Sequence, residues 1–278
     1  MKNFDNKRVF ITGGSSGIGF STATLLAQKG SHVILFARGE DRLETAKNEL
    51  SKNAISRNQR FSCMKLDVSN HKDVEMVMAK AVKVFGAPDV LINCAGRAYP
   101  DYFETISFEQ FDETMKTNLY SIWNTVSVLL PHMRKKGGHI GNISSIAGLI
   151  GVFGFTDYCA SKFAIIGFSE ALKSELKPYG ISVSVLCPPD TATPGFEVEN
   201  RTKPEETKAI SASAGLMHPD KVAEAFLNGI RKGKFLIIPG LDGKLTHIAK
   251  RFFPGLVDSV MDRAIKKAGK RKNKKTAP

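Results

Sequence analysis

Tyr158 and Lys162 stand four residues apart in a stretch with helical spacing, Tyr158–Tyr179, so their side chains share one face. A free tyrosine titrates near pH ~10. A lysine ammonium a few ångströms away favours the phenolate by about 4 kcal/mol at an effective dielectric of about 20, on the order of three pH units. Such a phenol would work as a general acid or base near neutral pH. The pair alone carries little information, because a lysine-rich chain with five tyrosines meets this spacing by chance. Its surroundings sharpen it. Ser145 follows an apolar run and precedes Tyr158 by 13 residues, and Asn118 lies further upstream.

A second chemical feature is the turn Thr12-Gly13-Gly14-Ser15-Ser16-Gly17-Ile18-Gly19, placed between an apolar run and a helical stretch. Glycines at 13, 17 and 19 let the backbone turn tightly and approach a ligand closely. The helix that follows offers free N–H groups and a positive dipole end, which suits a pyrophosphate. A tight turn without a ligand could use the same glycines. The placement after a first strand is what points to a dinucleotide. Arg38 follows the next apolar run, in Leu35-Phe36-Ala37-Arg38, with no acid at the strand end. An acid there binds the ribose 2′-hydroxyl of NAD, whereas an arginine accommodates the 2′-phosphate of NADP. Arg38 also reads as a solvated surface residue, and Arg42 one turn later would either help or face water.

These residues need a frame. Seven short runs rich in Val, Ile and Leu read as buried strands: Arg8–Thr12, His32–Phe36, Phe61–Leu66, Asp89–Cys94, His139–Ile143, Ile181–Cys187 and Phe235–Ile238. Between them Ile18–Lys29, Asp41–Asn53, Lys72–Phe85, Glu109–Arg134, Tyr158–Tyr179 and Asp220–Arg231 carry helical spacing, and Pro219 marks a helix start. Strict alternation with strands apolar on both faces predicts an α/β parallel sheet covered by helices on both sides. Thr191–Met217 breaks the rhythm, with two prolines and weak periodicity, and reads as a functional flap. Residues 1–243 form one catalytic domain in this reading, and 244–278 a basic tail.

Composition excludes other classes. At 278 residues, 42% apolar and 24% charged, the chain can bury a core and is not disordered. Cys63, Cys94, Cys159 and Cys187 show no C-x-x-C spacing and the six histidines no metal motif, so no metal is expected and a reducing compartment is. The longest apolar run, Ile146–Phe155, is too short to span a bilayer, and the first residues lack a signal-peptide core. A cytoplasmic protein is expected. The tail holds 11 of the Lys and Arg residues against 2 Asp, so most of the net charge of +13 sits there and the body is nearly neutral. Nucleic acid is not an expected partner of such a body.

Taken together, the motifs resemble those of the short-chain dehydrogenase/reductases over residues 7 to 240. In order they are the glycine turn at 12–19, Asp67-Val68, Asn93-Cys94-Ala95-Gly96, Asn118, Ser145 and Tyr158-Cys159-Ala160-Ser161-Lys162. The resemblance implies a single Rossmann-type doubly wound sheet that binds NADPH or NADP+. It implies that Tyr158 protonates a carbonyl oxygen, that Ser145 polarises it, and that Lys162 lowers the phenol pKa and holds the nicotinamide ribose. Asn118 would position a relay water, Asp67 would meet the adenine and Asn93 the region beside the adenosine ribose. Thr12, Gly13, Ser15, Ser16, Gly17, Ile18, Gly19, Val68, Ala95, Gly96 and Pro188 complete the expected cofactor contacts. Cys94 stands where the family more often has a second Asn. Homo-oligomers, dimers or tetramers built on the helices carrying Asn118 and Tyr158, are also implied.

A finer resemblance lies after the sixth run. Cys187-Pro188-Pro189-Asp190-Thr191-Ala192-Thr193-Pro194-Gly195-Phe196 and Glu199-Asn200-Arg201-Thr202-Lys203-Pro204-Glu205-Glu206-Thr207 are similar to a branch of the family, the 3-ketodihydrosphingosine reductases. Pro189 replaces a glycine, so the carboxamide contact would fall to Thr191 or Thr193. Reduction of a long-chain keto lipid is implied; another hydrophobic ketone, or a non-catalytic NADP-binding adaptor, are the alternatives. Leu149, Ile150, Val152, Phe153 and Phe155, between Ser145 and Tyr158, fit an apolar substrate wall, a core or a subunit interface. In the tail, Leu256, Val257, Val260, Met261, Ala264, Ile265 and Ala268 form one apolar stripe among basic residues. That stripe would lie on an anionic membrane surface or pack on the body or a partner subunit, and nucleic-acid binding by the basic tail is a third reading.

Overall fold

Residues along the first strand go alternately to two cores. Val9 and Ile11 face one, Phe10 the other, and all three are fully buried. The same alternation separates Val33 and Leu35 from Ile34 and Phe36 on the second strand. A sheet apolar on both faces must be covered on both, and connections through helices make it parallel. The computed structural model describes residues 3–212 and 215–275, with side chains as far as 269.

The chain runs β1 (Arg8–Thr12), α1 (Gly17–Ala27), β2 (His32–Ala37), α2 (Glu40–Ser51), β3 (Phe61–Lys65), α3 (His71–Phe85) and β4 (Val90–Asn93). It continues through α4 (Phe108–Met115), α5 (Ser121–Met133), β5 (Gly138–Ile143), α6 (Thr156–Leu176), β6 (Ile181–Leu186), α7 (Pro194–Thr202) and α8 (Glu205–Ser211). It ends with α9 (Pro219–Arg231), β7 (Leu236–Ile237), α10 (Leu241–Phe252) and α11 (Pro254–Lys275). All seven strands pair in parallel in the order β3-β2-β1-β4-β5-β6-β7. The order reverses between β1 and β4, and ligands of such sheets bind at the carboxyl ends of the strands beside that reversal.

Three expectations are refined. The helix expected over Glu109–Arg134 is interrupted by a π-helical turn, Lys116–Tyr120, which holds Asn118; such turns recur at functional sites. The flap is not irregular but carries the two short helices α7 and α8, joined through Lys203 and Pro204. The tail is helical, and its first helix begins at Leu241. α11 lies against α8 and α10. Ala268 is buried, while Leu256 and Val260 are more than half exposed. The basic side chains from Lys270 onward lie outside the described residues. Among the described residues no helix is long and apolar enough to cross a membrane.

Candidate active site

Loops at the carboxyl ends of β1, β2, β4, β5 and β6 enclose a cavity of about 760 Å³. At one end is the glycine turn. Gly13 has φ +66°, and a Cβ there would stand 2.7 Å from the Ala95 nitrogen, so no other residue fits between β1 and the loop after β4. Ser16 precedes α1 without a side-chain cap, and the first turn holds no acid. The first N–H groups and the dipole of α1 therefore remain for an anion. Arg38 and Arg42 stand exposed on the cavity rim at the end of β2, neither in an ion pair among the described residues. Asp67 and Val68 line the wall after β3; the Asp67 carboxylate accepts from the Ser69 amide at 3.0 Å and its hydroxyl at 2.7 Å.

The chemical end lies deeper. Asp157 at the start of α6 accepts a hydrogen bond from Thr114 at 2.7 Å, which ties α6 to α4 and fixes Tyr158 next to it. Tyr158, Lys162 and Ser145 all line the cavity. The Lys162 ammonium lies 5.4 Å from the Tyr158 ring centre and donates to the Ile143 carbonyl at 3.1 Å. Ser145 follows β5, held by an Ile146 amide bond to the Pro188 carbonyl at 3.0 Å.

Charge at this end runs against one sequence expectation. The Tyr158 phenol is pushed above its usual value, first by burial and then by the Glu199 carboxylate, while the adjacent Ser145 hydroxyl pulls it down. Lys162 is itself pushed down to about 8 by burial. Desolvation of both groups outweighs the attraction expected between ammonium and phenolate. At neutral pH the phenol holds its proton, the form a proton donor requires.

Four expected residues, Asn93, Thr12, Gly19 and Asn118, do not line the cavity. Asn93 is 3% exposed and lines no part of the cavity. It donates to Asn142 at 2.9 Å and accepts from Thr125 at 2.8 Å, so it ties β4 to β5 and α5. Thr12 is buried beneath Ala95. Gly19 serves packing, since a Cβ there would meet the Gly13 oxygen at 2.3 Å. Asn118 stands behind the wall: its amide donates to the Arg97 carbonyl at 3.0 Å and to Ser161 at 2.9 Å and accepts from the Arg97 amide at 2.8 Å. Both donors are spent, so its side chain holds the loop after β4. The remaining expected residues, Gly13, Ser15, Ser16, Gly17, Ile18, Ala95, Gly96, Pro188, Thr191 and Thr193, line the cavity. The Thr191 hydroxyl is turned back to the Pro189 carbonyl at 2.8 Å, whereas Thr193 faces Gly17, where an added Cβ would stand 3.0 Å from its methyl. Side chains at Gly17 or Gly96 would fill the channel; one at Gly96 would come 3.5 Å from the Lys162 ammonium. These residues fit an extended dinucleotide.

The other half of the cavity is mostly apolar. Ile146, Ala147, Ile150, Val152, Phe155 and Phe196 line it, joined by Leu245, Leu256, Val257, Val260 and Met261 of the tail. Of the five apolar residues expected between Ser145 and Tyr158, Ile150, Val152 and Phe155 line the cavity, whereas Leu149 packs on the core and Phe153 against Tyr102. Glu199 and Asp190 also line the cavity, and sequence reading had noted them only as parts of a motif.

The model of the short chain dehydrogenase family matches residues 7–204. A 3-dehydrosphinganine reductase of Danio rerio is 42% identical over 237 residues, covering 84% of this chain and 71% of that protein. The 3-ketodihydrosphingosine reductases of Mus musculus and Dictyostelium discoideum are 40% and 37% identical, over 84% and 90% of this chain and 71% and 78% of theirs. A short chain dehydrogenase/reductase from Burkholderia phymatum, solved with NAD, superposes with a TM-score of 0.81 at 25% identity, covering 92% of this chain and 96% of its own. An actinorhodin polyketide ketoreductase solved with NADPH gives 0.76 at 28%, covering 88% and 99%.

Proposed function

Because this chain belongs to the short chain dehydrogenase family, we propose that it is an NADPH-dependent reductase of 3-ketodihydrosphingosine, yielding dihydrosphingosine. One observation carries the reading: a single cavity joins the glycine turn, the Ser145–Tyr158–Lys162 group and an apolar half large enough for an alkyl chain. The names of the relatives supply the substrate class. A nicotinamide held there would supply a hydride for the keto carbon.

The chain's own residues do the rest. Ser15, Ser16 and Ile18 hold the pyrophosphate on the start of α1, Arg38 and Arg42 take the 2′-phosphate, and Asp67 and Val68 border the adenine. Ala95, Gly96, Lys162 and Pro188 border the nicotinamide half, and Thr193, whose hydroxyl accepts from the Phe196 amide but keeps its own proton to donate, takes the carboxamide contact rather than Thr191, which donates to Pro189. Ser145 donates to the substrate carbonyl oxygen. As negative charge develops there, the Tyr158 hydroxyl gives its proton to the same oxygen, turning C=O into CH–OH. Lys162 stabilises the phenolate left behind. Asn118 acts by fixing the Gly96–Arg97 loop.

Two features support finer parts of the reading. Leu245, Leu256 and Val260 line the cavity and are 63%, 60% and 54% exposed, so they mark its mouth. Ile248, Phe252 and Phe253 extend that exposed apolar surface beside Lys244, Lys250 and Arg251. This mouth rests on an anionic membrane face, from which the lipid enters. Phe111, Tyr120, Trp123 and Phe163 expose aromatic surface on the helices around Asn118 and Tyr158, which a second copy covers. Purified protein given NADPH and 3-ketodihydrosphingosine tests the function: both should be consumed one for one. No turnover of this ketone, with turnover of a steroid or 3-ketoacyl chain, would move the assignment to another hydrophobic ketone.

A further inference from the structure

The mechanism leaves one group of buried charges unused. Lys203, just past α7, has a side chain only 1% exposed. Its ammonium lies 2.7 Å from Glu199 Oε1, 3.8 Å from Asp190 Oδ2 and 3.3 Å from the Ser211 hydroxyl, with the Phe196 ring at 4.5 Å. Glu199 and Asp190 line the cavity and Lys203 does not, so the lysine braces both carboxylates from behind. One cation between two carboxylates leaves an excess of one negative charge. The Lys203 ammonium takes up the buried Oε1 from behind, while the Glu199 side chain as a whole keeps 14% of its surface exposed and lines the cavity. Lys162, the other buried cation here, is engaged with the Ile143 carbonyl.

A carboxylate in this place works against the phenol. Glu199 is the largest electrostatic influence that raises the Tyr158 pKa, and burial raises the pKa of Glu199 itself. A neutral ketone gains nothing from it. A ketone with a cation on the adjacent carbon would meet the exposed part of the Glu199 carboxylate, balance the charge and relieve the phenol. The substrate proposed above carries an ammonium on the carbon next to its keto carbon.

Resting on that reading, we infer that Glu199, with Asp190 beside it and Lys203 as a positioning residue, binds the substrate ammonium and selects 2-amino-3-ketones over plain ketones. The segment Glu199–Lys203 is then a specificity element. Thr207, fully buried, pins α8 to the Phe153 carbonyl at 2.8 Å and so holds the element over Tyr158.

The test compares 3-ketodihydrosphingosine with a 1-hydroxy-3-ketone of equal chain length that lacks the amine, under NADPH. Wild type should favour the amino ketone at least tenfold in kcat/KM. Glu199→Gln should reduce that preference at least tenfold without changing the Kd for NADPH, and Glu199→Asp should restore part of it. Equal use of both ketones by wild type overturns the inference but not the proposed function, as does a Glu199→Gln enzyme that loses both activities alike. Reduction of neither ketone by wild type overturns both. Should Glu199→Gln not fold, the wild-type comparison alone decides.

Discussion

Arg38 stands exposed at the rim where β2 ends, which makes cofactor choice testable at one residue. A charge-assisted contact with the 2′-phosphate is worth roughly 1.5–3 kcal/mol. Arg38→Ala should therefore lower the ratio of kcat/KM for NADPH over NADH at least tenfold, measured with one ketone. An unchanged ratio would assign the choice to Arg42 or to another group. Residue types were informative where chemistry demands them, as at Tyr158, Lys162 and Ser145. They say less where the same residue also suits a core. Asn93 pairs in register with Asn142 across two apolar strands. Two buried amides at matching positions bond to each other, a signal visible only once strand order is known. Glu199 is not legible in the chain order, because its meaning lies in its place beside Tyr158, which chain position does not encode.

The strands were legible as elements because each is an apolar run, and all seven stand where those runs do. α7 and α8 were not, since 9 and 7 residues are too few for a helical period to emerge. The π turn at Asn118 has no composition signal. β5 carries an untested burden: His139 is 1% exposed, both ring nitrogens lack partners among the described residues, and burial lowers its pKa to about 3. The unfolded chain binds a proton below its ordinary value of 6.5 and the folded chain does not. Stability is therefore full above that value and is lost as pH falls toward 3, by about 1.4 kcal/mol per pH unit from this group. Denaturant titrations across that range should show a shallower pH slope for His139→Leu. Identical slopes would mean that the histidine is charged and solvated in the fold.

At the scale of the molecule, strand order could not be read from the sequence, because it follows from non-local pairing. Nor could the use of the tail. The front of its apolar stripe forms a wall of the cavity, and Leu256 and Val260 there stay more than half exposed. Deleting residues 254–278 should weaken sedimentation with phosphatidylserine-type vesicles, and salt should weaken binding of the full chain. It should also raise KM for the long ketone more than for a short soluble one. Full-length protein that ignores such vesicles at low salt would leave the tail as a wall alone.

The most direct test of the central claim follows the hydrogen atoms. NADPH deuterated at the transferring position of its nicotinamide is incubated with the enzyme and 3-ketodihydrosphingosine, and the product is weighed by mass spectrometry. The account predicts dihydrosphingosine with one deuterium on carbon 3, formed by wild type and lost with Tyr158→Phe while NADPH still binds. Product without the label, or labelled product at a wild-type rate from Tyr158→Phe, would contradict it.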